Sequence, residues 1–264
     1  SAPSSDVLRV YSKEVSGRML PKWKGPSGLD TAFQPAFFDN NIVMWLPAAT
    51  SGIMLGSAQS VITAGVATLP TITNKYTSLR RSVFTVATGA NLMNSIRSEN
   101  MFFRGSNAGV GGFFFFCRFG LNVYTAGNRL FVGLATDSTA LLTADPSAKL
   151  NLLGFGFDGG DSAISFIHND GAGTATKDTI SGQPALASAN CYDAYIFCKP
   201  NDSTVYYRLD NVTAGTTIVD TSTSTDLPVN TTMMNCVAGI GSGANTGAGV
   251  ASIGVNRIYV ESDY

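Results

Sequence analysis

The sequence contains a single histidine, His168, and its only glutamates are Glu14, Glu99 and Glu261. A Ser-His-Asp apparatus would have to be built on that one imidazole, and its Asn169-Asp170-Gly171 context is that of a turn. Charged residues make up 13% of the 264 positions, with a formal net charge of −1. Such a chain has no basic field with which to attract phosphate backbones, so nucleic-acid binding is disfavoured. There is no G-x-S-x-G elbow, no H-E-x-x-H and no glycine-rich phosphate cradle between a strand and a helix, which leaves serine hydrolysis, zinc proteolysis and nucleotide chemistry without their machinery. No apolar run approaches the roughly 18 residues of a membrane helix, and the first residues lack the charged-then-apolar pattern of a signal peptide. The chain is therefore expected to be soluble, without membrane insertion, and made in the cytoplasm. Four cysteines, Cys117, Cys191, Cys198 and Cys236, sit in apolar contexts with no C-x-x-C spacing and are expected to be buried free thiols. No catalytic residue, metal ion or cofactor is expected.

What the chain does have is glycine, 28 in all, and β-branched and Ser/Thr residues spread along its whole length. This is the composition of an all-β protein rich in turns. Its organising stretch is Gly111-Gly112-Phe113-Phe114-Phe115-Phe116-Cys117-Arg118-Phe119-Gly120, followed by Arg129-Leu130-Phe131-Val132-Gly133-Leu134. So short and glycine-bounded an aromatic run fits a central strand buried on both faces better than a helix. Four consecutive phenylalanines at a sheet edge would template aggregation, so a second sheet or a neighbouring subunit must cover them. Further strands are expected at Ile42–Leu46, Ser78–Ala87, Asn100–Arg104, Asn151–Asp158, Ser162–His168, Asp193–Lys199, Thr204–Asp210, Thr216–Asp220 and Ile253–Glu261. Their spacing predicts a jelly-roll or lectin-like β-sandwich over residues 42–264. Phe157-Asp158-Gly159-Gly160-Asp161 and His168-Asn169-Asp170-Gly171 read as hairpin turns, and Gly239–Gly249 and Asn211–Thr225 as long surface loops.

Residues 1–41 differ. They combine the basic cluster Arg9, Lys13, Arg18, Lys22, Lys24 with Pro3, Pro21, Pro26 and Pro35, and read as an extended N-terminal arm. One short helix is expected over Asp6–Val15, capped by Ser5, because Val7, Val10, Tyr11 and Val15 fall near helical spacing.

Aromatic rings outside the core runs are candidate sugar platforms, since a ring face stacks on the apolar face of a pyranose while Asn and Asp read its hydroxyls. The ligand-binding candidates are Tyr124, Tyr192, Tyr206, Asp158, Asp161 and Asn169. The aspartates have no regular calcium-loop spacing and are better explained as turn residues. Glycoside hydrolysis needs two facing acids, and the scarcity of Glu counts against it.

Several segments taken together resemble a family of virion structural proteins found widely in tailed bacteriophages and prophages, described as tail-fibre or receptor-binding modules. The resemblance rests on Gly17-Arg18-Met19-Leu20-Pro21, Gly25-Pro26-Ser27-Gly28-Leu29-Asp30 and Gln34-Pro35 in the arm. It continues in Gly111-Gly112-Phe113-Phe114, Cys117-Arg118-Phe119-Gly120, Arg129–Leu134, Asp145-Pro146-Ser147 and Ile258-Tyr259-Val260-Glu261-Ser262-Asp263-Tyr264. It implies a non-enzymatic β-sandwich on the outside of a virion, homotrimeric as phage fibres usually are, attached to other virion proteins through residues 1–41 and recognising a host-surface glycan. A capsid-decorating or fibre-connecting protein and a glycan depolymerase are the rival expectations. Between Thr50 and Thr77 the chain departs from the shared pattern, and that region has no expected role.

Overall fold

The computed structural model describes residues 3–15, 18–26, 30–32, 40–48, 52–99, 102–105, 110–137, 139–186, 190–243 and 250–263. Its strands, in chain order, are β1 (Arg9–Val15), β2 (Arg18–Lys24), β3 (Asp30–Ala32), β4 (Asn40–Leu46), β5 (Ile53–Leu55), β6 (Ser60–Val61), β7 (Val66–Thr68), β8 (Arg81–Val86), β9 (Met93–Arg97), β10 (Gly111–Val123), β11 (Arg129–Ala135), β12 (Leu152–Phe157), β13 (Ser165–Asn169), β14 (Thr176–Thr179), β15 (Cys191–Cys198), β16 (Val205–Asn211), β17 (Thr216–Thr223), β18 (Asn235–Gly241) and β19 (Ala251–Asp263). They form three antiparallel sheets. The largest has nine strands, in the order β17-β16-β15-β10-β19-β4-β5, with β8 also on β19 and β7 on β8. The second has seven, in the order β14-β13-β12-β11-β18-β9-β6, and a small third sheet joins β1, β2 and β3.

Strand alternation explains why the two large sheets face each other. On β10, Phe113, Phe115, Cys117, Phe119 and Leu121 share one face and are all buried, while Phe114, Phe116 and Arg118 on the other face are half-buried. The buried set packs against Leu130, Val132 and Leu134 of β11, Leu153, Phe155 and Phe157 of β12, and Phe166 of β13 in one continuous cluster. Phe166 stacks on Tyr207 at a centroid distance of 3.9 Å and meets Phe155 edge-on at 5.2 Å. The phenylalanine run is thus the centre of the large sheet, as expected. Its two faces are not equivalent, however: one faces the second sheet and the other faces outward.

The seven-stranded sheet is covered on its far side as well. The segment between β11 and β12 makes two short turns, Leu141–Thr143 and Pro146–Ala148, and buries Leu141 and Leu142 against Met93, Phe131, Leu152, Ile167 and Val237. That close approach needs glycine beneath it. A Cβ on Gly239 would lie 2.6 Å from Ser95 Cβ, and one on Gly241 would lie 2.6 Å from the Leu142 carbonyl oxygen. Gly239 and Gly241 are therefore strand residues of β18, not the start of the expected loop; residues 244–249 lie outside the described residues, as do Gln34-Pro35 and Tyr264.

The helix expected over Asp6–Val15 is not formed. Asp6 has φ 60°, outside the right-handed helical region. From Arg9 the chain pairs with β2 residue by residue, Arg9 opposite Lys24 and Val15 opposite Arg18. A cross-strand partner only a few residues away overrode the local helical spacing. Of the strand expected at Asn100–Arg104, the described residues show one isolated bridge, Phe102 to Met234. The four cysteines are free and buried, and burial pushes the Cys191 and Cys198 thiols up to about 12 and Cys236 to about 11.

Candidate functional site

Among the described residues, the outward face of the nine-stranded sheet carries a connected set of accessible aromatic and charged side chains. Three cross-strand rows build it. Phe114, Phe197 and Tyr206 sit opposite one another on β10, β15 and β16. The next row is Phe116, Tyr195, Arg208 and Asp220, continuing onto β17. The third is Arg118, Asp193 and Asp210. Each row is the pleat's own neighbour relation, so the grid follows directly from strand register.

Tyr195 is the hinge of the aromatic part, with ring centroids 5.1 Å from Phe116 and 6.3 Å from Phe114. Phe197 and Tyr206 are 6.1 Å apart, and the Lys199 ammonium lies 5.5 Å over the Tyr206 ring. A shallow depression is lined by Tyr195, Phe197, Tyr206, Arg208 and Asp220. Beyond Arg208 a second, polar depression continues among Asp193, Asp210, Asn211, Thr216 and Thr217. Arg208 divides the two; its Nε donates to Asp210 Oδ1 at 2.9 Å and its second amino group donates to Thr217 Oγ1 at 2.9 Å. Arg118 grips Asp193 in a two-point pair at 2.6 Å on each arm, which fixes the floor beside Tyr195. Burial, together with the carboxylates of Asp193 and Asp210, pushes the Tyr195 phenol up, so its hydroxyl stays a donor. An aromatic shelf beside hydroxyl, amide, carboxylate and guanidinium groups can stack on one face of a sugar ring and read its hydroxyls.

The expected site residues fall in three places. Tyr206 is 39% exposed and belongs to this shelf. Tyr192 does not: it lies opposite Phe119 on the inward face, fully buried, with ring centroids 5.6 Å apart, and cannot be a stacking platform. Asn169 is likewise buried; its side chain closes its own turn, accepting from Gly171 N–H at 2.7 Å and donating to the Ala172 carbonyl at 3.0 Å. Tyr124, Asp158 and Asp161 come together at the turn between β12 and β13. There Lys177 Nζ bridges Asp158 at 2.9 Å and Asp161 at 3.0 Å, and the Tyr124 hydroxyl donates to the Asp161 carbonyl at 3.2 Å. Asp158 also accepts from Ser147 N–H at 3.1 Å, tying the turn to the covering segment. These carboxylates are occupied in holding loops together, and among the described residues no three His, Cys, Asp or Glu side chains converge as metal ligands. His168 is buried at the end of β13, its Nδ1 3.1 Å from the Asp226 carbonyl and its Nε2 3.3 Å from Asp178 Oδ2, which also accepts from the Tyr207 hydroxyl at 2.9 Å.

Sequence reasoning missed Tyr195, Phe197, Arg208 and Asp220. A signal for them existed. Val205-Tyr206-Tyr207-Arg208-Leu209-Asp210 alternates cleanly, and Asp193 shares the parity of Tyr195 and Phe197, marking that side of β15 as outward.

Among the described residues, three carboxylates around these loops titrate low. Burial raises Asp145, but the Gly159 N–H and the Arg129 guanidinium outweigh it; burial raises Asp137 and Asp226 too, and is outweighed by Ala140 N–H and Lys149 at the first and by hydrogen bonds from Thr176 and Asp170 at the second. The unfolded chain takes up these protons near pH ~3.9 and the folded one only at lower pH. Stability is thus fully present above that range and is lost as pH falls through it. Urea midpoints are expected to be flat from pH 7 to 5 and to drop between pH 4.5 and 3; a flat profile down to pH 3 would contradict these assignments.

No family model matches the sequence, and no curated protein matches it. The fold does have relatives. The chain superposes on peanut lectin with a TM-score of 0.55 at 11% identity, over 85% of this chain and 98% of that one. Arcelin-5, a lectin-like defence protein of Phaseolus vulgaris, gives 0.53 at 11% identity over 86% and 100%. Lectin I of Ulex europaeus, solved with the methyl glycoside of α-L-fucose, gives 0.51 at 14% identity over 85% and 98%. The protein therefore has the jelly-roll β-sandwich fold of the legume lectins.

Proposed function

We propose that the protein is a non-enzymatic carbohydrate-recognition module of a bacteriophage virion, a tail-fibre or receptor-binding component that reads a host-surface glycan through the outer face of its large sheet. The observation that carries the reading is the shelf of Tyr195, Phe197 and Tyr206 running into the polar depression beyond Arg208. The lectin-like sandwich gives it a rigid support, and the phage assignment rests on the segments of the arm, β10 and β19 quoted above. Assembly in the host cytoplasm and display on the particle accord with four reduced, buried thiols. The saturation of Asp158 and Asp161 by Lys177 and the burial of His168 favour binding over catalysis.

Tyr206→Ala and Tyr195→Ala are expected to weaken binding to bacterial surface polysaccharide by about 5–150-fold each, the equivalent of ~1–3 kcal/mol per stacked ring by analogy with stacking on bases. Tyr124→Phe at the loop network should leave affinity unchanged. Equal affinities for all three variants, measured by titration calorimetry on purified polysaccharide, would remove the shelf as the site. Binding confined to purified virions would favour capsid decoration or fibre connection instead.

A further inference from the structure

The polar depression beyond Arg208 ends at a wall made of two turns. Its lining reaches Val212 and Gly215, in the turn between β16 and β17. That turn folds back onto β15: the Val212 N–H donates to the Cys191 carbonyl at 2.8 Å, and Thr213 Oγ1 accepts from the Cys191 N–H at 2.9 Å. The second turn, residues 74–78, comes from the segment before β8. Asn74 closes it, with its Oδ1 accepting from the Thr77 N–H at 2.8 Å and its carbonyl from the Ser78 N–H at 2.9 Å. Lys75 Nζ of this turn donates to the Val212 carbonyl at 3.0 Å and so joins the two turns. Tyr76, buried beside it, lies over Gly120 on the outward side of β10; its hydroxyl reaches the Gly120 carbonyl at 3.1 Å and Asn122 Oδ1, and the Arg81 guanidinium sits 4.6 Å from its ring centre. Three rows of outward side chains are therefore open, and the next one, Gly120 opposite Cys191, is covered.

The aromatic end is built differently. Its depression is lined by residues of β15, β16 and β17 alone. The Lys199 ammonium lies over the Tyr206 ring, but among the described residues it makes no hydrogen bond or ion pair and ties no second segment across the shelf. One end of the shelf is barred by a bonded lysine, and the other is not.

We propose that the shelf reads the free end of a glycan chain, with Lys75 and the turn after β16 setting that specificity; the inference rests on the shelf being the glycan site. The two depressions succeed one another along β16, with Tyr206 and Asp210 roughly 13 Å apart at the rise of a strand. A saccharide stacked on Tyr206 and Tyr195 and hydrogen-bonded beyond Arg208 thus lies along the strands, with its last ring against Val212 and Lys75. That ring meets the carboxylates of Asp193 and Asp210, the hydroxyls of Thr216 and Thr217 and the remaining N–H donors of Lys75. These groups suit hydroxyls that only a terminal ring carries unsubstituted. A further sugar would have to break the Lys75–Val212 bond or lift the chain out of the polar depression, so interior segments are rejected by obstruction. Surface glycans are anchored through their reducing ends, which makes the end that is read the non-reducing one.

The test is binding of the labelled full chain to a printed array of bacterial oligosaccharides in which each determinant stands both at the chain end and extended by further sugars. The terminal forms are expected to bind roughly tenfold or more tighter than their extended counterparts. Lys75→Ala, at an exposed side chain, should keep the circular dichroism spectrum and narrow that preference at least about threefold through a gain for the extended forms, which damage to the fold would not produce. Equal affinity for terminal and extended forms, or a preference that Lys75→Ala leaves intact, would overturn the proposal; if Tyr206→Ala still lowers binding, the shelf itself stands. Binding to no oligosaccharide, or binding undiminished in Tyr206→Ala, would remove the shelf as the site and this inference with it.

Discussion

Replacing Phe115 by alanine is expected to cost about 3–5 kcal/mol, a large share of the ~5–15 kcal/mol that holds a typical domain folded. Phe115 is fully buried at the centre of the large sheet, opposite Ile196 on β15 and Val260 on β19, and both of those are fully buried as well. Rigid sheets on both sides keep the site from collapsing around the cavity. The neighbouring residue supplies the control. Phe116 points outward, half-buried, with its ring against that of Tyr195; its cross-strand partner on β19 is Tyr259. Its replacement loses ring contacts worth ~0.5–1.5 kcal/mol together with part of a ring's apolar burial, but it opens no enclosed cavity, so its cost is expected to be clearly smaller than that of Phe115→Ala. Urea titration of the two variants at equal slope checks this directly. Equal losses for Phe115→Ala and Phe116→Ala would mean that the outward face is buried too, and that the shelf is not accessible.

The second large effect is expected at Arg129→Met. The Arg129 side chain is buried between the covering segment and β18; its Nε donates to Asp145 at 2.6 Å, and one amino group donates to Asn91 Oδ1 at 2.9 Å and to the carbonyls of Thr143 at 3.1 Å and Ser242 at 3.4 Å. Asp145 is partly exposed and can be rehydrated, so its lost charge partner matters less. The Ser242 carbonyl is buried and has no such recourse, the Thr143 carbonyl is part-buried and has less of it than Asp145, and leaving a buried acceptor unsatisfied costs ~1–3 kcal/mol. A destabilisation of roughly 3 kcal/mol follows. Arg208→Met is the contrast. Its ion pairs with Asp210 and Asp220 lie on the solvent-exposed face, so the variant should fold with almost unchanged stability while glycan affinity falls. An Arg129→Met protein as stable as wild type would show that the covering segment is not anchored there.

The sandwich was legible because its strongest signals are also its innermost strands. The phenylalanine run, the β11 sequence and the Asp-Gly turns agree locally and globally, so β10, β11 and the hairpins around β13 fall close to where pattern reading puts them. The β18 glycines misled because their reason is another segment: Leu142 and Ser95 occupy the space that side chains would need. The arm misled for the opposite cause, since Val7, Val10, Tyr11 and Val15 fit helical spacing while the pairing partner Arg18–Lys24 is visible only in three dimensions. Among the tyrosines the deciding fact was parity. Tyr192 and Tyr195 are three residues apart on one strand, so they face opposite sides, and only knowing that Phe115 and Phe119 point inward tells which one meets solvent. Proximity to turns, which drew attention to Asp158, Asp161 and Asn169, reflects loop closure.

The proposed function depends on the outward shelf being a glycan site. The most direct measurement is binding of the fluorescently labelled protein to cells of a panel of bacterial strains, with and without periodate oxidation of surface sugars, in parallel with the Tyr195→Ala/Tyr206→Ala double variant. Binding to some strains that periodate abolishes and the double variant loses is the predicted result. Binding that survives periodate, binding undiminished in the double variant, or binding to no strain would contradict it.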